Sequence, residues 1–534
     1  MNRTVDAVVV GAGIAGLYAL HKLRGAGLAV RVFETGDGVG GTWYWNRYPG
    51  ARCDVQSMDY SFSFDRDLEQ DWEWTEKYPT QEELRRYLDH VADRFDLRRD
   101  VQLGSRVTEA VYVEDAQRWL VRTDRGDEVT AQYVIMATGC LSASKLPEVP
   151  GLESYTGRWY HTAHWPEEGV DFTGQRVGVI GTGSSGVHVI PLIAQQAAEL
   201  TVFQRTPNFV IPANNHPIDP EHQRSVKADY ERFRQANRES GFGVVFPPAT
   251  KSALEVDAKE RTAHFDRNWY GPDNHPVGLV AGYTDLMTNE EANDTVAQYV
   301  RDRIAEIVED PEVAATLQPV DHPLGTKRPC VGTGYYDTFN LPHVSLVDVR
   351  KTPIAAITTS GVRTSEREHA FDSIVFATGF DAMTGALSRI DIRGRGGLAL
   401  TDKWADGPRT YLGVAVAGFP NLFTITGPGS PSVLSNMVVS IEQHVEWVAD
   451  VITALLERGA STFEATLEAE DAWTQHVADV GRMTLYPTAD SYYMGSNVPG
   501  KPRVFLPYAG GVGPFRKKCE EVAANGYEGF AIST

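Results

Sequence analysis

The sequence predicts an α/β protein with two Rossmann-like dinucleotide-binding domains and a helical insertion. Two stretches support this fold class, because each runs from an apolar strand through a glycine-rich turn into a helix and a second strand. The third observation is a pair of apolar strands that end in Ala-Thr-Gly, "VIMATGCLS" at 134–142 and "IVFATGFDA" at 374–382. Strands of this kind run up to a bound nucleotide and close a domain, so they mark the expected boundaries.

The first βαβ unit is "VDAVVVGAGIAGLYALHKLRGAGLAVRVFE". An apolar strand leads into Gly11, Gly13 and Gly16, and the second strand, Val30–Phe33, ends at Glu34. Glycines allow the backbone to approach a pyrophosphate at the helix N-terminus, and a carboxylate about twenty residues further on accepts hydrogen bonds from a ribose hydroxyl. This combination indicates a dinucleotide site that ends in an acid, as FAD requires.

The second unit is "QRVGVIGTGSSGVHVIPLIAQQAAELTVFQRTP", in which the glycines are Gly181, Gly183 and Gly186. Its second strand does not end in an acid but continues into Arg205 and Thr206. An arginine at this position accommodates a 2′-phosphate, so we interpret the first site as FAD and the second as NADPH. The alternative for Arg205 is a solvated loop arginine.

A third glycine-rich turn follows the second Ala-Thr-Gly strand, in "NLFTITGPGSPSVLSNM". An apolar strand breaks at Gly427, Pro428 and Gly429 before a helix that we expect from about Val433. Such a turn can bring backbone amides close to a flavin ring, although it can also be only a tight turn.

These landmarks divide the chain into five segments. The FAD-binding domain is expected at 1–143 and again at 381–534, and the NADPH-binding domain at 144–215 and 326–380. The segment between them, 216–325, is charged and helix-rich, so it is predicted to be a helical insertion with solvated faces.

Charge and composition exclude several function classes. The chain of 534 residues has 50 Lys and Arg against 71 Asp and Glu, a net charge of −21 that would repel a phosphate backbone. Nucleic acid is therefore not an expected partner. No run of about eighteen apolar residues and no signal peptide is found, so a membrane is not an expected partner either.

The cysteine pattern predicts a reducing cytoplasmic location. Cys53, Cys140, Cys330 and Cys519 lie far apart, without a CxxC motif or metal-ligand spacing. Neither disulfide redox chemistry nor a metal ion is therefore expected.

The segment "YTGRWYHTAHWP" resembles the fingerprint of the Baeyer–Villiger monooxygenases. Gly157, His161, Trp165 and Pro166 match it, while the usual Phe is Tyr155 here. The related flavin-containing and N-hydroxylating monooxygenases carry Phe or Tyr where this chain has Trp-Pro. A histidine among aromatic residues is more often a packed hinge residue than an acid or base, so these five residues are interpreted as coupling the two domains.

A second family signature is found in "GGTWYWNRYPGARCD", through Gly41, Trp43, Tyr48, Pro49 and Asp54. The resemblance covers the whole chain and is strongest to the phenylacetone and steroid monooxygenase branch. It implies an enzyme that uses FAD, NADPH and O2 to convert a ketone to an ester or lactone, through a C4a-peroxyflavin and a Criegee adduct, and that could also oxidise sulfides. The alternatives are another class B monooxygenase that oxygenates nitrogen or sulfur, an NADPH-dependent flavoprotein reductase, and a non-catalytic NADPH-binding regulator.

The resemblance also implies the catalytic residues. "GTKRP" at 325–329 places Arg328 beside the flavin, with Asp54 orienting it and Lys327 turned toward the 2′-phosphate. A permanently charged guanidinium suits a developing oxyanion. Without the resemblance, a structural ion pair between domains would be an equal alternative for Arg328 and Asp54.

Two sets of residues complete the predicted site, which holds no metal. The cofactor-binding set is Gly11, Gly13, Gly16, Glu34, Gly41, Thr42, Trp43, Asp54, Tyr60, Gly181, Thr182, Gly183, Ser184, Ser185, Gly186, Arg205, Thr206, Lys327, Arg328 and Tyr492. The ketone pocket set is Val55, Cys140, Ser432, Val433, Leu434, Met437 and Tyr492. This branch commonly has Trp where Tyr492 stands, so more room is expected. We expect a monomer, with a weak dimer as the alternative.

Overall fold

Two sheets, each built around one glycine-rich turn, organise the chain in a computed structural model that describes residues 3–271 and 275–534. Both contain parallel βαβ units, so the predicted α/β fold class with two Rossmann-like domains is confirmed. The residues 272–274, inside the predicted insertion, and residues 1–2 lie outside the described residues.

The strands of the N-terminal half are short to medium in length. In chain order they are β1 (Arg3–Val10), β2 (Val30–Phe33), β3 (Val101–Gln102), β4 (Val107–Val113), β5 (Arg118–Thr123), β6 (Glu128–Met136), β7 (Arg158–His161), β8 (Arg176–Ile180), β9 (Glu199–Gln204) and β10 (Val210–Pro212). The remaining strands are β11 (Cys330–Gly332), β12 (Val344–Asp348), β13 (Ile354–Ile357), β14 (Gly361–Thr364), β15 (Glu368–Ala370), β16 (Ser373–Phe376), β17 (Asp391–Arg393), β18 (Leu422–Thr424), β19 (Thr462–Ala465) and β20 (Phe530–Ser533).

The α-helices follow the strands in both halves and fill the insertion. They are α1 (Ile14–Gly25), α2 (Thr42–Trp45), α3 (Arg66–Asp71), α4 (Gln81–Arg94), α5 (Ser184–Ala194), α6 (Pro220–Ala228), α7 (Tyr230–Glu239), α8 (Ala258–Tyr270), α9 (Pro276–Ala281), α10 (Glu290–Ile307), α11 (Pro311–Leu317), α12 (Gly385–Ser388), α13 (Leu400–Lys403), α14 (Met437–Arg458), α15 (Leu467–Arg482) and α16 (Val512–Ala524). Within the described ranges, no helix is both long and apolar enough to cross a membrane.

The first sheet has the strand order β17-β4-β5-β6-β1-β2-β3, and β18 also pairs with β6. Strand β1 lies between β2 and β6 and is parallel to both, which is the arrangement of a dinucleotide-binding βαβ unit. Strands β17 and β18 come from the C-terminal part of the chain and complete this sheet.

The second sheet has the order β12-β9-β8-β16-β7, and every pairing in it is parallel. Its edge strand β7 carries part of the aromatic fingerprint, and His161 lies in register with Phe376 of β16. The fingerprint is therefore built into the sheet that holds the second glycine turn.

The two glycine turns are held by equivalent contacts. Gly11 has φ +102°, and a Cβ atom there would lie 2.6 Å from the carbonyl oxygen of Ala137. Gly181 has φ +109°, and its Cβ atom would lie 2.3 Å from the carbonyl oxygen of Ala377. Both alanines belong to the Ala-Thr-Gly segments, so each of these segments packs directly under a turn that only glycine fits.

The predicted insertion is helical, but its helices pack in two groups rather than as one cap. Helices α6 and α7 contact the half of the molecule that contains the first sheet (the first half). There Arg234 donates a 2.8 Å hydrogen bond to Glu69, and Tyr230 joins the core around α1 and α14. Helices α8, α10 and α11 pack instead on the half that contains the second sheet (the second half), where Trp269 and Val300 share a core with β8 and β9. The charge pattern that predicted solvated faces did not distinguish these two packings.

The helix after the third glycine turn begins later than the sequence predicts. We expected it from about Val433, whereas α14 starts at Met437 after a short helical turn over Ser432–Leu434. Asn436 caps it, since its side chain accepts a 3.1 Å hydrogen bond from the backbone N–H of Val438.

The two segments that connect the sheets run side by side as a short antiparallel ribbon. The backbone N–H of Asp381 donates to the carbonyl of Ala143 at 2.8 Å, and that of Lys145 donates to the carbonyl of Gly379 at 3.1 Å. Because both connections are joined in this way, any rotation between the two halves has to bend one shared element.

Candidate functional site

Both glycine turns open into one cavity of about 1060 Å³, which is lined by residues of both halves. Most of the predicted site residues lie on its wall. They are Gly11, Gly13, Glu34, Gly41, Thr42, Trp43, Asp54, Val55, Tyr60, Cys140, Gly181, Thr182, Gly183, Ser184, Ser185, Arg205, Thr206, Lys327, Arg328, Val433, Met437 and Tyr492.

Four predicted residues lie behind the cavity wall instead. A Cβ atom on Gly16 would lie 1.8 Å from the carbonyl oxygen of Gly11, and Gly186 makes the equivalent contact at the second turn, so these two glycines pack the turns. Ser432 is fully buried and bonds to Cys140 at 3.1 Å, while Leu434 packs in the apolar cluster beside it. Ser432 and Leu434 therefore support the predicted ketone pocket rather than line it.

At the first turn, Glu34 is fixed at the end of β2. Its carboxylate accepts hydrogen bonds from the backbone N–H groups of Ala12, at 2.7 Å, and Gly36, at 2.8 Å. Burial raises the pKa of Glu34, and these donors oppose part of the increase. The carboxylate thus lies beside the glycine turn, where a ribose would be bound.

The floor of this end of the cavity consists of glycine backbone and aromatic rings. Gly41 has φ +55°, and a Cβ atom there would lie 2.8 Å from the Cα atom of Gly13. The rings of Trp43 and Tyr60 meet edge to face, with centroids 5.9 Å apart. A cradle that leaves no room for Cβ atoms, next to a buried acid, fits a bound dinucleotide such as FAD.

The third glycine turn contributes a strained segment to the same wall. Thr426 lines the cavity with φ +52°, a left-handed conformation that a β-branched residue rarely adopts. Its backbone N–H donates a 3.0 Å hydrogen bond to Nδ1 of His444 on α14. Burial, together with the charge of Arg516, lowers the pKa of His444 to about 3, so its ring stays a neutral acceptor that can hold Thr426.

Arg328 and Asp54 form a two-point ion pair on the wall of the cavity into which both turns open. Nε and Nη2 of Arg328 donate to the two carboxylate oxygens at 2.7 and 2.8 Å, and Nη1 donates to the carbonyl of Val433 at 2.8 Å. Burial would raise the pKa of Asp54, but the charge and hydrogen bonds of Arg328 outweigh this effect and lower it. Both groups are therefore charged, and the guanidinium is held on two sides.

A group of tyrosines lies close to Arg328. The rings of Tyr492 and Tyr493 lie 4.5 Å apart, and Tyr486 meets Tyr493 edge to face at 5.4 Å. Burial raises the pKa of Tyr493, and the positive charge of Arg328 opposes part of that increase. Tyr492 was predicted from the sequence, whereas Tyr493 and Tyr486, which lie within electrostatic reach of the same guanidinium, were not.

The second turn leads to two cations, Arg205 and Lys327, that line the cavity. Among the described residues, Arg205 and Lys327 form no ion pair and donate no hydrogen bond to the protein, although both line the cavity. Burial lowers the pKa of Lys327, and the charge of Arg205 lowers it further, whereas the charge of Asp321 raises it. Unpaired cations at this end of the cavity fit the 2′-phosphate of NADPH.

The fingerprint histidine lies at the ribbon that connects the two halves. Nδ1 of His161 accepts from the backbone N–H of Ala163 at 3.0 Å, so Nε2 is the protonated nitrogen and donates to the carbonyl of Lys145 at 3.2 Å. Oγ1 of Thr378, from the second Ala-Thr-Gly segment, lies 3.3 Å from the same Nε2 atom. His161 therefore contacts both connecting segments.

The other fingerprint residues pack around β7. The hydroxyl of Tyr155 donates to the carbonyl of Phe371 at 3.0 Å, and a Cβ atom on Gly157 would lie 2.8 Å from the carbonyl oxygen of Asp372. Trp165 is buried against the ring of Phe172, and Pro166 follows it. These residues are not on the cavity wall, whereas His164 of the same segment is.

Comparison with known proteins gives consistent matches over the whole chain. The family description "Pyridine nucleotide-disulphide oxidoreductase" matches residues 8–287. The chain is 42% identical to a Baeyer-Villiger monooxygenase from Pseudooceanicola batsensis, covering 98% of this chain and 95% of that protein. It is 41% identical to a methyl acetate-forming acetone monooxygenase from Gordonia sp. strain TY-5, over 100% of both. A solved structure of oxidized steroid monooxygenase bound to NADP superposes with a TM-score of 0.95 at 52% identity, covering 99% of each chain.

Proposed function

The chain belongs to the Baeyer–Villiger monooxygenases, the class B flavoprotein enzymes that convert ketones to esters or lactones with FAD, NADPH and O2, and we propose which of its residues carry out each part of that reaction. The observation that carries the proposal is the position of Arg328, which Asp54 holds on the wall of the one cavity into which both glycine turns open.

FAD and NADPH, when bound, supply the reducing power that activates dioxygen. The protein's task is then to stabilise the negative charge of the oxidant and the negative charge that develops on the ketone oxygen. Asp54 and Val433 occupy three of the five N–H donors of Arg328, and the remaining side of the guanidinium, which also interacts with Tyr493, is proposed to stabilise that charge. A guanidinium stays protonated at any working pH, so the stabilising charge does not depend on a proton transfer.

Asp54 is proposed to position Arg328 rather than to touch the reacting atoms. Both of its carboxylate oxygens are used by the guanidinium, which fixes the plane of that group. The carbonyl of Val433 holds the third side, and Val433 itself lies on the cavity wall beside the proposed ketone pocket. The position of the charge is thus tied to the shape of the pocket.

Arg205, Thr206 and Lys327 are proposed to select NADPH over NADH. A charge-assisted hydrogen bond contributes roughly 1.5 to 3 kcal/mol, so Lys327→Ala should reduce the NADPH preference by about tenfold or more. The measurement is kcat/KM for both cofactors in the unmutated protein and the variant. Equal values for NADH and NADPH in the unmutated protein would contradict the assignment of these cations to the 2′-phosphate.

His161 is proposed to keep the two connecting segments together while the halves move. His161→Ala removes the hydrogen bonds to Ala163 and Lys145, so turnover should slow by about tenfold while the FAD content stays normal. His161→Gln is the matched control, because its amide can still donate and accept and should restore much of the rate. Single-turnover reduction and oxygenation rates distinguish the steps, and normal rates at every step in His161→Ala would exclude this role.

The ketone pocket is proposed to lie between Val433, Met437, Cys140 and Tyr492. Cys140 is a buried wall residue whose thiol lies 3.3 Å from the carbonyl of Thr426, and burial raises its pKa, so it is not a nucleophile. A tyrosine at 492 leaves more room than a tryptophan would. We therefore expect ketones larger than acetone to be accepted, which a panel of linear, cyclic, aryl and steroid ketones with product analysis would test.

A reducing cytoplasm and a monomeric state are proposed for this enzyme. The four cysteines are free and buried, which supports a compartment where thiols stay reduced. The cavity is lined by this one chain, so a single copy supplies both cofactor ends. Gel filtration coupled to light scattering measures the oligomeric state directly.

A further inference from the structure

Lys145 is a further cation on the wall of the shared cavity, and no sequence motif predicts a role for it. It belongs to the first connecting segment, where its backbone N–H bonds to Gly379 and its carbonyl accepts from His161. Its ammonium group donates to the backbone carbonyl of Asn497. Among the described residues its ammonium group forms no ion pair, although the charges of Glu148 and Asp381 act on it.

The electrostatic surroundings connect Lys145 to the proposed phosphate site. After burial, the charge of Arg205 is the strongest influence that lowers the pKa of Lys145, and Arg205 has the same effect on Lys327. The two lysines therefore share the field of one arginine. The acids in the same surroundings are Glu148, which also lines the cavity, and Asp381, which is paired with Lys501.

The residues that follow Lys145 belong to the same end of the cavity. Pro147 and Val149 line the cavity together with Val349, Pro353 and Ile354. Val349 follows directly on β12 and donates a 2.9 Å hydrogen bond to the carbonyl of Gln204, the residue before Arg205. Apolar walls of this kind beside an unpaired arginine suit an adenine ring and its ribose phosphate.

We propose that Lys145 is a third cation of the 2′-phosphate site, reaching it from the connecting segment while Arg205 and Lys327 reach it from the second half. This inference rests on the proposed NADPH function of the second glycine turn. Lys145 has to exchange the carbonyl of Asn497 for the phosphate, so the gain in affinity is the difference between binding an anionic oxygen and binding a neutral carbonyl oxygen. A 2′-phosphate bound by Lys145 would therefore contact the ribbon that joins the two halves.

The test compares two ligands that differ only in the 2′-phosphate, adenosine 2′,5′-bisphosphate and adenosine 5′-monophosphate, by calorimetric titration of the FAD-loaded protein. Lys145→Met keeps the length of the side chain and removes its charge. Because Lys145 is partly exposed, we expect Lys145→Met to weaken the affinity for the bisphosphate about three- to tenfold and to leave the affinity for the monophosphate nearly unchanged. Lys145→Arg keeps the charge and should retain most of the discrimination between the two ligands.

Lys501→Met is the matched control, since the ammonium group of this lysine reaches the same ribbon but pairs there with Asp381. It should keep the ratio of the two affinities. An unchanged ratio in Lys145→Met would overturn the proposal for Lys145. An unmutated protein that binds both ligands equally would instead overturn the NADPH assignment itself. Lys145→Gln repeats the measurement should the methionine variant lose its flavin absorbance.

Discussion

Arg328→Ala should retain bound FAD and NADPH oxidation while ester formation falls by about a hundredfold to a thousandfold, the loss seen when a preorganised oxyanion donor is removed. Hydride transfer from NADPH needs two stacked rings, whereas oxygen transfer needs a fixed positive charge beside the reacting oxygen. Arg328 is proposed to supply that charge from the side of its guanidinium that Asp54 and Val433 do not occupy. Electrons should therefore be released as hydrogen peroxide instead of being used for the ester.

The measurement for Arg328→Ala follows ester by gas chromatography, peroxide by a coupled assay and NADPH by its absorbance in the same incubation. Asp54→Ala should give a milder form of the defect, because the arginine keeps its charge but loses its orientation. Arg176→Ala is the control, since this arginine pairs with Asp372 at the exposed start of β8. Ester formation at the unmutated rate in Arg328→Ala would mean that another group stabilises the oxidant.

A second large effect should come from substituting the two packing glycines, Gly16 and Gly186, because each substitution should affect only one of the two proposed cofactor sites. A Cβ atom on Gly16 would lie 1.8 Å from the carbonyl oxygen of Gly11, and one on Gly186 would lie 2.3 Å from that of Gly181. Neither backbone can move aside without opening its turn. Gly16→Ala should therefore purify without FAD, whereas Gly186→Ala should remain yellow but not be reduced by NADPH.

Flavin absorbance after gel filtration and anaerobic reduction by NADPH distinguish the two glycine variants, and circular dichroism reports whether each is folded. Gly183→Ala is the matched control for the fold, because nothing lies within 4 Å of the Cβ atom it would add. That variant should fold normally and retain FAD. Loss of FAD in a folded Gly186→Ala would show that the second turn does not bind NADPH alone.

The sequence is informative where one short segment determines the local structure. The strand, turn and acid of the first unit are contiguous, so the position of Glu34 beside Gly11 follows from the chain's local geometry. Arg328 and Asp54 are 274 residues apart, and no local pattern predicts their contact. It was expected only because the segments around both residues resemble those of a known family.

The parts that the sequence did not predict depend on contacts between distant segments. His444 lies within an apolar helix, where periodicity indicates only a buried face, and its hydrogen bond to Thr426 exists only after the turn and α14 pack together. Ser432 has φ +42°, and its hydroxyl bonds to the thiol of Cys140. Ser432 therefore lies behind the cavity wall, whereas Cys140 is part of that wall. The two packings of the insertion likewise depend on which half each helix reaches.

The most direct test of the account is an incubation of the unmutated protein with NADPH, isotopically labelled dioxygen and a panel of ketones, followed by mass spectrometry of the products. A cavity that brings both cofactor ends to one arginine should insert a single labelled oxygen atom into an ester or lactone for each NADPH consumed. NADPH consumption that yields only labelled peroxide with every ketone would contradict it.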